Sequence, residues 1–154
     1  MPSPAVSLRR VVAETVRPIR RLVLRVGLPP EASVYPRDDD PATIHFGAFT
    51  PEDDLVGIAT YLPGEDRLAG QPPYGAPGAR FRGMAVLEAW RGRGVGTALL
   101  AEVLREAREH GVKELWANAR LSAVSFYTTH GFQVVSSEFE LSGVGPHRVI
   151  AAAL

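Results

Sequence analysis

The feature that most constrains this chain is a glycine-rich turn set between a strand-like segment and an amphipathic helix. Arg91-Gly92-Arg93-Gly94-Val95-Gly96-Thr97 follows Leu87-Glu88-Ala89-Trp90, and Val95, Leu99, Val103, Leu104 and Ala107 then form one apolar stripe at helical spacing. Glycines just before a helix let successive backbone N–H groups converge on an anion, and the helix dipole adds about half a positive charge there. Such a turn suits a diphosphate, and Arg91 and Arg93 add two cations able to make charge-assisted bonds to its oxygens. A nucleotide-hydrolysing P-loop needs G-x-x-x-x-G-K-[ST], but no lysine follows these glycines; the chain's single lysine is Lys113. A dinucleotide fold needs G-x-G-x-x-G, and the third glycine is missing whether the count starts at Gly92 or Gly94.

The rest of the chain reads as alternating strands and helices. Residues 6–12 predict a strand. Val16, Ile19, Val23 and Val26 predict a short helix with Pro18 in its first turn and an arginine-rich outer face of Arg17, Arg20, Arg21 and Arg25. Pro29-Pro30, Pro36 and Asp38-Asp39-Asp40 make 27–41 a loop, and dense glycine and proline make 63–79 a second one. Residues 43–49 and 55–62 predict an antiparallel hairpin. A strand over 80–86, a helix over 94–110, a strand over 114–119, a helix over 123–130 and a strand pair over 132–141 and 147–152 follow. This order predicts an α+β, three-layer fold: a mixed, largely antiparallel sheet of six to seven strands flanked by three to four helices.

At 154 residues, 45% hydrophobic, the chain suits a single domain over 1–154. Seventeen basic residues balance seventeen acidic ones, which argues against nucleic acid or a membrane surface as a partner. With no cysteine, disulfides, thiolate metal sites and a cysteine nucleophile are excluded. The four histidines form no H-x-x-x-H or H-E-x-x-H pair, so no metal is expected. No apolar run reaches the length of a membrane span, and a cytoplasmic protein is the expectation.

Arg91-x-x-Gly94-x-Gly96, five residues after Val86, is similar to the acetyl-coenzyme A signature of the GNAT superfamily of N-acetyltransferases. Ala123-Val124-Ser125-Phe126-Tyr127-Thr128-Thr129-His130-Gly131-Phe132 resembles that superfamily's later A-x-x-x-Y-x-x-x-G-F helix and turn. Phe139-Glu140-Leu141-Ser142-Gly143-Val144-Gly145-Pro146-His147 resembles a little-characterised bacterial branch of it.

The resemblance implies a sheet splayed between the strands at 80–86 and 114–119, with the pantetheine arm in the opening and paired to the backbone of Met84, Ala85 and Val86. It implies acetyl-coenzyme A as co-substrate, held by Arg91, Gly92, Arg93, Gly94, Val95, Gly96 and Thr97, with Asn118, Phe126 and Tyr127 alongside. Where many relatives carry an asparagine seven residues before the tyrosine, this chain has Arg120, with Asn118 two residues earlier. Tyr127 sits where the superfamily often places a proton donor to the departing thiolate. His147 is the candidate base, with Glu140, Glu138 and Glu88 as rivals. The implied activity is acetyl transfer to an amine of a small molecule, peptide or protein by direct attack in a ternary complex, in a superfamily that often forms homodimers. A non-catalytic acyl-coenzyme A sensor is the alternative. The arginines of the first helix are candidates for steering an acidic substrate, and Asp38 to Asp40 for recognising a cationic amine.

Overall fold

The computed structural model describes residues 6–67 and 76–154. Part of the expected second loop, 68–75, lies outside the described residues. Eight strands and three α-helices occur among the described residues, in a mixed and mostly antiparallel sheet. The chain divides into two compact units, Met1–Tyr61 with Gly83–Arg105, and Leu62–Arg82 with Glu106–Leu154.

In the first unit, β1 (Ser7–Val11), β2 (Ile44–Phe49) and the greater part of β3 (Leu55–Pro63) form antiparallel ladders, with Val11 opposite His45 and Ile44 opposite Tyr61. The expected hairpin is closed by Thr50, whose N–H donates to the Asp54 carbonyl at 2.9 Å and whose hydroxyl accepts the Asp54 N–H at 3.1 Å. Helix α1 (Ala13–Ile19) lays Val16 and Ile19 on Ile58 and on Ala85 of β4 (Gly78–Val86). Helix α2 (Val95–Glu109) starts against β3 at Gly57, where a Cβ would stand 2.9 Å from Val95 and 3.0 Å from Leu99. That glycine lets the start of α2 sit close on the sheet.

In the second unit, the start of β4 pairs in parallel with β5 (Glu114–Arg120) from Gly78 opposite Glu114 to Arg80 opposite Trp116. Phe81, Arg82 and Ala117 to Arg120 run on beyond that ladder. β5 then pairs antiparallel with β8 (Gly145–Ala153), ending with Arg120 opposite His147. β6 (Gln133–Val134) and β7 (Phe139–Leu141) both pair with β8. Helix α3 (Leu121–Thr129) lies between β5 and β6 in sequence.

Three sequence expectations change. The strand expected over 132–141 is two strands, because Ser136 turns its hydroxyl onto the Val149 N–H at 2.8 Å and takes a donor of β8 that a ladder carbonyl would otherwise hold. The first helix starts at Ala13, so Pro18 lies near its end rather than in its first turn, and the helix widens there into a π-helical turn, Arg20–Leu24. The Arg25 N–H reaches back five residues to the Arg20 carbonyl at 2.8 Å, and the helical segment ends at Leu24, which leaves Val26 in the following turn at 71% exposure instead of on the apolar stripe. Arg20, finally, is not on a solvated outer face: it is completely buried.

Candidate active site

In the first unit, the turn after β4 has the backbone the glycines predict. Gly92 and Gly94 adopt φ of 73° and 84°, a left-handed conformation that other residues rarely take. A Cβ on Gly92 would meet nothing within 4 Å, so the dihedral rather than packing calls for glycine there. The first bond across the start of α2 is Ala98 N–H to the Gly94 carbonyl at 3.0 Å. Helix geometry gives the N–H groups of Val95 and Gly96 no partner within α2 itself. Arg91 and Arg93 are exposed; Arg91 Nε donates to the Val86 carbonyl at 3.3 Å, and the Arg93 guanidinium lies 4.9 Å from the centre of the Trp90 ring. Thr97 is exposed in the first turn of α2. Met84 and Val86 are half-buried and Ala85 is buried at the end of β4. The structure thus brings the expected diphosphate turn and the end of the pairing strand into one unit, linked through Arg91.

The second unit gathers the other named residues. Tyr127 is buried in α3, its ring edge-on to Phe81 at 5.5 Å, to Phe126 at 5.2 Å and to Phe132 at 5.9 Å. Burial pushes its phenol above the ordinary value near 10, so it is a neutral hydrogen-bond donor at any physiological pH. Phe126 is half-buried and lies 4.5 Å from the His130 ring. His130 closes α3 and donates from Nδ1 to the Phe126 carbonyl at 2.7 Å, a helix-ending role.

His147 is buried near the start of β8, stacked on Phe139 at 6.0 Å. Its Nδ1 lies 2.8 Å from the Gly145 carbonyl, which can only accept, so Nδ1 carries the proton and Nε2 keeps its lone pair in the neutral ring. Glu140 is exposed in β7, opposite Pro146. Glu138 and Glu88 are exposed as well. Asn118 is half-buried in β5, opposite Val149.

The arginines and aspartates at the start of the chain serve each other. Arg20 binds Asp38 at two points, Nη1 to Oδ2 at 2.7 Å and Nη2 to Oδ1 at 3.1 Å. Arg17 lies 3.8 Å from both Asp38 and Asp39, and Arg37 lies 3.4 Å from Asp40. Asp38 is therefore held by this chain's own arginine rather than presented to an amine. Arg17 and Arg21 do line an open groove of about 380 Å³ with Glu14, Glu31 and Val34, on the face of α1 opposite Val16 and Ile19.

Sequence reasoning missed the buried group around Arg20. Thr60 accepts from Arg20 Nη2 at 3.0 Å and donates to His45 Nδ1 at 2.8 Å, and His45 Nε2 donates to the Asp38 carbonyl at 3.0 Å. One signal was available: Arg20 stands four residues after Val16, on the apolar side of the helix.

The chain matches the acetyltransferase (GNAT) family over residues 14–132, and it belongs to that family of acyltransferases. It is 29% identical over 147 residues to YitI of Bacillus subtilis (strain 168), an uncharacterised N-acetyltransferase, covering 96% of this chain and 95% of YitI. Its fold is similar to that of a candidate N-acetyltransferase from Lactobacillus plantarum, with a TM-score of 0.77 at 18% identity over 97% of this chain and 99% of the other. It is also similar to FeeM, an N-acyl amino acid synthase from uncultured soil microbes, with a TM-score of 0.73 at 18% identity over 98% and 92% of the two chains. Among the described residues no helix is long and apolar enough to cross a membrane, and no group of three or more histidines or carboxylates gathers as for a metal.

Proposed function

We propose that this chain, as a single acyltransferase domain, transfers an acetyl group from acetyl-coenzyme A to an amine of a small molecule or peptide by direct attack in a ternary complex. The observation that carries the reading is the turn itself: two left-handed glycines and two exposed arginines at one helix start. That arrangement fits the charge and size of a coenzyme A diphosphate. The family match over 14–132 crosses both units, which supports treating them as one catalytic domain. The lack of cysteine suits a reducing cytoplasm.

In this reading the backbone of Met84 to Val86 pairs with the pantetheine amides, and an N–H there polarises the thioester carbonyl as oxyanion-hole donors do. Asn118 and Phe126 flank the donor. His147 Nε2 removes the proton of the attacking amine, the role its free lone pair allows. The amine nitrogen bonds to the carbonyl carbon, the carbon–sulfur bond breaks, and Tyr127 meets the developing thiolate with its O–H. A thiol loses its proton near pH 8.5, below the raised phenol, so Tyr127 stabilises the thiolate chiefly as a hydrogen-bond donor. Glu140, exposed on β7, is the rival base.

Thiol release from acetyl-coenzyme A against a panel of amines, amino acids, polyamines and peptides tests the proposal. Turnover that falls in Tyr127→Phe supports it. Coenzyme A binding with no turnover on any acceptor favours a sensor.

A further inference from the structure

Arg20 is the most expensive residue in the first unit to have buried, and its surroundings bear on the strand the acyl donor is proposed to pair with. Its side chain is completely buried, and a well-packed apolar residue there would serve stability as well or better. What the guanidinium adds is geometry. Nη1 donates to the Ser33 carbonyl at 3.0 Å and to Asp38, while Nη2 donates to Asp38 and to Thr60 of β3. The Tyr35 ring covers its face with the guanidinium carbon 3.8 Å from the ring centre. Its fifth donor, Nε, is buried without a hydrogen bond. Beside it stands Gly83, in the middle of β4, where an added Cβ would lie 3.3 Å from Nε and 3.5 Å from Tyr35.

Gly83 has φ of 61°, a left-handed residue inside a strand, immediately before Met84. The backbone of Met84 to Val86 thus follows a left-handed residue within a continuous β4, with Arg20 and Tyr35 packed against that residue on one side. The other end of Arg20 is also irregular, since the helix opens into its π-turn at this residue, a deformation common at functional sites. One rigid fork therefore ties the π-turn, the 33–38 segment and β3 together beside Gly83 of β4.

We infer that Arg20 is a positioning residue for acyl transfer: by tying Ser33, Asp38 and Thr60 together and packing beside Gly83, it holds the Met84–Val86 backbone in the geometry that receives the acyl donor. This rests on the reading that those residues pair with the donor. A lysine keeps the charge but not the planar fork, and a misplacement on the order of 1 Å at reacting groups lowers rates about 100-fold.

The test compares the full chain with Arg20→Lys and Asp38→Asn, each at a temperature well below its own unfolding transition. Three quantities are measured: backbone hydrogen exchange, acetyl-coenzyme A binding by calorimetry, and kcat and KM for acetyl transfer. The expected result is exchange at least about 10-fold faster in the segment from Gly83 to Leu87 while α2 is unchanged, and kcat reduced about 10- to 100-fold, with acetyl-coenzyme A binding within about threefold because the 91–97 turn is untouched. Exchange that rises uniformly or not at all, or kcat per folded molecule within about twofold of the parent, overturns the inference and leaves the donor site standing. Failure of the parent chain to bind acetyl-coenzyme A overturns the donor-site reading, and this inference with it.

Discussion

Tyr127 meets Phe81 edge-on at 5.5 Å, and this contact holds the phenol where water reaches it poorly. The phenol's ionisation is raised by that burial, and the direction fixes how stability depends on pH. Below pH about 10 the tyrosine is protonated in both folded and unfolded chains and adds no slope. Above it the unfolded chain releases the proton while the folded one keeps it, so stability falls by about 1.4 kcal/mol per pH unit. Urea denaturation at pH 8 and at pH 11 should show the parent losing about that much more than Tyr127→Phe. Equal losses would mean the phenol is not desolvated.

The left-handed turn predicts a sharp response at Gly94, where φ is 84°. Gly94→Glu adds both a strained backbone and a negative charge at the proposed diphosphate seat. Coenzyme A binding should weaken at least about 100-fold, or about 2.7 kcal/mol, in a protein whose far-ultraviolet circular dichroism is unchanged. Calorimetric titration with coenzyme A checks it.

His147 and Glu140 stand on neighbouring strands, one buried with Nδ1 on the Gly145 carbonyl, the other in water. General-base catalysis contributes about 10²- to 10⁴-fold, so His147→Gln should lower kcat by at least about 100-fold. Glu140→Gln should lower it by less. The reverse order, read from steady-state kinetics on the same acceptor, would move the base to Glu140.

Stability of the second unit leans on a buried pair, Arg67 and Glu114, joined by Nε to Oε1 at 3.0 Å and Nη2 to Oε2 at 2.9 Å. Their side chains are 7% and 2% exposed. Removing one partner strands a buried charge, and Arg67→Met should lower the free energy of unfolding by about 3–5 kcal/mol in chemical denaturation. Arg67→Met combined with Glu114→Leu should recover much of that loss.

What the sequence disclosed was local. The 50–54 turn, the amphipathic stripe of α2 and the left-handed glycines before it are all written in neighbouring residues, and all appear at their expected places. Long-range pairings were illegible. The ion pair of Arg20 with Asp38 spans 18 residues, and its Thr60 contact spans 40, so nothing near Arg20 distinguished it from Arg17, Arg21 and Arg25 except its phase on the helix. The break between β6 and β7 was hidden for the same reason, since it depends on Ser136 reaching Val149 across 13 residues. For the candidate site, the glycine turn and Tyr127 were readable from motif. The Nδ1 contact that frees Nε2 of His147 requires the folded turn at Gly145.

The most direct test of the account is calorimetric titration of the parent chain with acetyl-coenzyme A, run beside titration with ATP and NAD. Saturable one-to-one binding of acetyl-coenzyme A, with no comparable heat from either nucleotide, is the predicted result. No binding of acetyl-coenzyme A at millimolar concentration by the folded protein would contradict the account at its centre.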